Sequence, residues 1–172
     1  MFWLLLIAQL SASFTSETVW ITLQDSTVEV EGWYVFRNPS TESQRLQIFY
    51  PFPLGRTEPY PDTFAVHGGR ARPTPEGLRI QVRLEPQATE TLRVFYRQRI
   101  RGHRARYITH TTRLWDKPLE EARFYIRFPA RWKQMYTSFP VQEVREEGIW
   151  RVLVLSRRNF RGEGDLQMVW EP

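Results

Sequence analysis

The sequence predicts an all-β fold, an antiparallel β-sandwich of about eight to ten strands with at most one short helix. Three observations predict it. Apolar side chains recur at every second position in segment after segment, which lines them up on one face of a half-buried strand. Aromatic residues make up 15% of the chain, an enrichment that suits strands. Clusters of Gly, Pro, Asn, Asp and Ser fall between the alternating runs, where turns are needed. Alternation, in place of continuous apolar runs, also argues against a parallel sheet covered on both faces.

Each element follows from its own pattern. Val19, Ile21 and Leu23 alternate with Thr18, Trp20 and Thr22. After Gln24-Asp25-Ser26, the apolar set resumes at Val28, Val30, Tyr34 and Phe36, with Gly32 read as a bulge. Asn38-Pro39-Ser40-Thr41 is a turn, and Leu46, Ile48, Tyr50 and Phe52 form the next strand. Two segments break the pattern and read as loops: the proline-rich stretch from Pro51 to Asp62, and Gly68 to Pro75. The cleanest alternation is Leu78, Ile80, Val82 and Leu84 against Arg79, Gln81 and Arg83. Leu92, Val94, Tyr96 and Ile100 follow the turn at Pro86-Gln87, and Gly102 marks a hairpin end. A helical turn is expected near Asp116-Lys117-Pro118-Leu119-Glu120-Glu121, with Asp116 as its N-cap. Ala122, Phe124, Ile126 and Phe128 then alternate with arginines and Tyr125, and runs over 149–155 and 166–170 complete the set.

Charge and composition narrow the function classes. Net charge is +5, and the positive residues are arginines except for Lys117 and Lys133. Such a skew reads as the codon bias of a GC-rich genome, so the arginine count does not by itself imply nucleic acid, which is not an expected partner. No cysteine is present, which excludes disulfides, thiolate metal sites and cysteine nucleophiles. His67, His103 and His110 lie in separate segments without metal-ligand spacing, and no Gly-x-Ser-x-Gly occurs. Adjacent carboxylates such as Glu120-Glu121 point to opposite faces of a strand and make no acid/base pair. The reading is a non-enzymatic chain with no cofactor, no metal and no catalytic residues.

Residues 1–10 are Met-Phe-Trp-Leu-Leu-Leu-Ile-Ala-Gln-Leu, an apolar run too short to span a bilayer as a helix. The small residues Ser11-Ala12-Ser13 follow, as at a signal-peptidase site, although no basic residue precedes the run. Two readings stand: a secretory signal over 1–13 with one β-sandwich domain over 14–172, or a buried first strand of the domain. The first makes the product exported, periplasmic or extracellular.

Two groups of residues are candidate contact sites. Arg97, Arg99, Arg101, Arg104 and Arg106 crowd a glycine turn, where guanidinium forks would meet phosphates, acidic glycans or lipid head groups. The reading preferred for the same residues is a solvated hairpin whose charge suppresses edge pairing, since few aromatics interleave them at stacking spacing. Tyr60, Trp115, Trp132 and Tyr136 lie near loops, as stacking platforms or as plugs at the ends of the sandwich.

The run from Val28 to Pro53, with its strand, Asn-containing turn, strand and Pro-Phe-Pro, resembles an element of VIT (vault and inter-α-trypsin) type domains. It is similar as well to uncharacterised bacterial exported β-sandwich proteins, as is the run from Thr111 to Ala122. The resemblance implies an extracytoplasmic β-sandwich used for interaction, with no catalytic residues to carry over. The functional expectation is therefore a structural or protein-interaction role at the bacterial cell envelope. The alternative is a module binding anionic polymer or lipid head groups through the arginine-rich turn.

Overall fold

The computed structural model describes residues 11–172. Thirteen strands succeed one another, with a single 3-10 turn as the only helical element among the described residues. They are β1 (Ser13–Leu23), β2 (Thr27–Arg37), β3 (Gln44–Pro51), β4 (Thr63–His67), β5 (Arg70–Thr74), β6 (Gly77–Leu84), β7 (Thr89–Arg99) and β8 (Arg104–Tyr107). The 3-10 turn His110–Leu114 precedes β9 (Leu119–Pro129), β10 (Gln134–Thr137), β11 (Glu143–Glu147), β12 (Trp150–Phe160) and β13 (Leu166–Glu171).

Seven strands form one sheet in the order β11-β12-β9-β1-β2-β7-β4. Every pair in it is antiparallel except β1 with β9, so the sheet is mixed where alternation alone predicts an antiparallel one. Two three-stranded sheets, β3-β6-β5 and β10-β13-β8, pack against its inner face. Tyr50 and Phe52 from the first meet Tyr96 of β7, and Trp132 beside the second stacks on Phe128 of β9. The three sheets converge on Tyr34: its hydroxyl shares hydrogen bonds with Tyr50 at 2.9 Å and Tyr107 at 2.8 Å. Buried apolar residues from all three sheets form one connected core cluster.

Several local expectations are corrected. The segment Gly68 to Pro75 contains β5, where Pro73 is accommodated because β5 is an edge strand. Short β4, β10 and β11 escape a reading by alternation, since half-exposed or wholly exposed strands have no buried face to mark them. Gly32 pairs regularly with Val19; the bulge lies instead between Phe14 and Ser16, with the Thr15 hydroxyl donating to the Val35 carbonyl. The helical turn sits at His110–Leu114, while Leu119–Glu121 already belong to β9. Asp165 holds this turn by accepting the Thr109 N–H, so it does not extend β8.

Positive φ at Gln87, Gly102, Gly148 and Gly162 marks turns where the sequence places them. The proline-rich segment leaves the sheet and is anchored by buried Gln98, whose Nε2 donates to the Pro53 and Pro59 carbonyls at 2.8 and 2.7 Å. Residues 1–10, which carry most of the signal reading, lie outside the described residues. Within them, β1 begins at Ser13, and the buried Ala12 donates its N–H to Gln44. Among the described residues no helix is long and apolar enough to cross a membrane.

Candidate functional site

The side chains that alternate away from the core build a second surface, the outer face of the seven-stranded sheet. Register places Trp20 of β1 between Glu31 of β2 and Tyr125 of β9, and Trp33 of β2 beside Arg93 of β7. Trp20 and Trp33 remain 37% and 39% exposed in the middle of this sheet, although each is among the largest apolar side chains. Their rings approach to 5.3 Å, and Trp20 stacks on Tyr125 at 5.4 Å with only 10° between planes. The Arg93 guanidinium lies 4.7 Å over the Trp33 ring. One face of Trp20 is thus covered by Tyr125, and one face of Trp33 by Arg93.

Charges surround this aromatic centre; several are neutralised in pairs, while Arg127 of β9 has no ion pair among the described residues and lies over the Trp150 ring. Glu31 accepts hydrogen bonds from Trp33 Nε1 and Arg93 Nη2, each at 3.0 Å. The Trp33 N–H first and the arginine second hold its carboxyl below the ordinary range. Arg97 stands 3.8 Å from Glu29, and Arg123 stands 2.9 Å from Glu121. An apolar centre with a paired polar rim is the anatomy of a protein–protein contact surface, and Trp, Tyr and Arg are its enriched residues. The sequence reading missed Trp20, Trp33 and Tyr125 as site residues. Their signal was present as aromatic side chains at the polar positions of otherwise alternating strands.

The arginine segment is not one hairpin. Arg97 and Arg99 belong to β7 in the seven-stranded sheet, whereas Arg104 and Arg106 belong to β8, which pairs with β13 in another sheet. Arg99 pairs with Asp62 at 3.1 Å. Arg106 pairs with Glu58 at 3.0 Å and donates to the Leu54 carbonyl at 2.7 Å, pinning the proline-rich loop. Arg101 and Arg104 are exposed and have no ion pair among the described residues. The structure leaves two of the five free to meet an anion.

The four loop aromatics also part company. Trp132 is 2% exposed and stacks on Trp170 with centroids 5.0 Å apart. Trp115 packs on Phe14 and Phe36, and Tyr60 packs edge-on against Phe52. These three plug the core. Tyr136 is exposed and lines a shallow groove of about 510 Å³ with Met135, Val144 and Leu153.

His110 Nδ1 lies 3.1 Å from Asp165, but the neighbouring hydroxyls are committed elsewhere: Thr109 Oγ1 donates to Gly164 and Thr112 Oγ1 to Thr109. Among the described residues no cluster of His, Asp and Glu could hold a metal ion. Glu17 is buried opposite Tyr34, with one carboxylate oxygen lacking any partner, and burial pushes its pKa up to about 8. Burial likewise raises the Tyr34 phenol, with the Glu17 charge adding to it.

No family model matches this chain, and no curated protein matches it by sequence. Solved structures do match by shape. A putative nutrient binding protein from Legionella pneumophila superposes with a TM-score of 0.66 at 14% identity, over 92% of this chain and 67% of that one. An M1 zinc metallopeptidase from Deinococcus radiodurans superposes with a TM-score of 0.56 at 15% identity, over 92% of this chain. The chain spans 42% of the length of that peptidase. At such identities the likeness is one of fold, a bacterial β-rich architecture.

Proposed function

We propose that this chain is a non-catalytic interaction domain that docks a protein partner on the outer face of its seven-stranded sheet, at the Trp20–Trp33–Tyr125 cluster. The observation that carries this reading is the exposure of two tryptophans at the centre of a sheet face, beside the paired Glu31 and Arg93. Leaving such surface in water forfeits the free energy that burial would release, roughly 25 cal/mol per Å² of apolar area. A fold that recurs as part of a longer peptidase chain fits a domain that works against other protein surfaces. The apolar segment over 1–10 and the resemblance to VIT-type domains support an exported location at the cell envelope.

A second reading rests on exposed Arg101 and Arg104: contact with an anionic glycan or lipid surface. Salt separates the two. Binding through the aromatic centre persists as ionic strength rises, whereas binding through free arginines weakens steeply. The test compares capture of envelope proteins by the native chain and by a Trp20→Ala, Trp33→Ala variant at low and high salt. A partner held at both salts and lost from the variant supports the first reading. Retention on heparin or anionic vesicles, lost in an Arg101→Ala, Arg104→Ala variant and absent at high salt, supports the second and overturns the first.

A further inference from the structure

We propose that the open edge of β4 pairs with β4 of a second copy of this chain, antiparallel and centred on Ala65, so that two seven-stranded sheets join edge to edge. The seven-stranded sheet has two ends, and they are built differently. β11 is guarded: an antiparallel copy centred on Arg145 would set Arg145 against its own image and Glu143 against the image of Glu147, all like charges. β4, Thr-Phe-Ala-Val-His, carries no Asp, Glu, Lys, Arg or Pro. The outer strands of the small sheets are protected as well: β3, β5 and β8 contain arginine or proline, and β10 lies in the groove facing Val144 of β11.

Register makes the β4 edge self-complementary. Centring on Ala65 sets Thr63 opposite His67 and Phe64 opposite Val66, twice over. Phe64 and Val66 point inward against the core yet stay only half-buried, because no strand among the described residues flanks β4 on that side. Each copy would cover the other's pair, and the unpaired N–H and C=O groups along both edges would find partners. Of the charges around the strand, Arg93 and Arg97 on β7 are compensated by Glu31 and Glu29, and Asp62 just before it pairs with Arg99, while Arg70 begins β5 three residues beyond it. A pairing of five residues buries little area, so it belongs to the weak, concentration-dependent class of association. Its two-fold axis stands normal to the sheet, which leaves the outer faces of both copies on the same side.

Sedimentation equilibrium of the full chain, raised to about 1 mM, should show the mean mass climbing from monomer toward dimer. Ala65→Lys, which sets two ammonium groups across the axis, should raise the dissociation constant at least about tenfold. Because the chain has no cysteine, single cysteines report the register. Ala65→Cys would place its Cα within about 4.5–5.5 Å of its own image, inside disulfide range. Thr63→Cys would lie about 14 Å from its image and should stay uncrosslinked. Should Ala65→Lys fail to fold by circular dichroism, the cysteine pair decides alone. A monomer at every concentration, an association indifferent to Ala65→Lys, or equal crosslinking of both cysteine variants overturns the proposal.

Discussion

The Tyr34 ring folds back over Gly32, two residues before it on the same strand: a Cβ placed on Gly32 would overlap the Tyr34 hydroxyl. Only a residue without a side chain lets that ring lie flat against the strand and reach Tyr50 and Tyr107 in the two opposing sheets. Gly32→Ala should therefore displace the ring, break the junction of three sheets and cost roughly 2–4 kcal/mol. Urea unfolding would measure it; a loss below about 0.5 kcal/mol would show that the junction adapts.

Glu17 makes stability fall as pH rises. Its folded pKa of about 8 exceeds its ordinary value of 4.5, so between them the folded state holds a proton that the unfolded state has released. The buried carboxyl adds no pH-dependent cost below pH 4.5, and its destabilising effect grows through neutral pH and levels off above about 8. The difference amounts to roughly 4–5 kcal/mol. Glu17→Gln should match the native chain at pH 4 and exceed it in stability at pH 8. Parallel unfolding curves for the two proteins across that range would rule the account out.

Asn38 closes the turn between β2 and β3 from inside. Its Nδ2 donates to the Glu42 and Glu85 carbonyls at 2.8 and 3.0 Å, and its Oδ1 accepts the Ser40 N–H at 3.0 Å. Asn38→Ala would strand these groups in a buried place, for an expected loss of about 2–4 kcal/mol. Asn38→Asp, which keeps the acceptor and loses the donor, should recover only part of it in thermal melts.

Trp20 and Phe124 test the division between the two faces of the sheet. Phe124 is fully buried, packed against Tyr107, Phe139 and Phe160, and Phe124→Ala should cost about 3–5 kcal/mol. Trp20→Ala removes a still larger ring from the outer face and should cost about 1 kcal/mol or less. Equal losses in chemical denaturation would make the Trp20 cluster a structural layer in its own right.

The alternating pattern made the inner face legible: Val19, Ile21, Leu78, Ile80, Phe124 and Ile126 are buried where periodicity puts them. The same pattern also hid the outer cluster, because a period of two sorts residues by face and says nothing of which strands are neighbours. Trp20 and Tyr125 lie more than a hundred residues apart and meet through the parallel pairing of β1 with β9. The arginine turn failed for the converse reason, since residues close in sequence were dealt to different sheets.

Fold class was written in the chain itself, because alternation and turn chemistry are local properties that each segment satisfies alone. Strand order, the mixed sheet, the meeting of Tyr34 with Tyr50 and Tyr107, and the pairing of Arg106 with Glu58 arose only in three dimensions. They depend on which faces and edges are brought together across long stretches of chain, a choice made by the packing of the whole core.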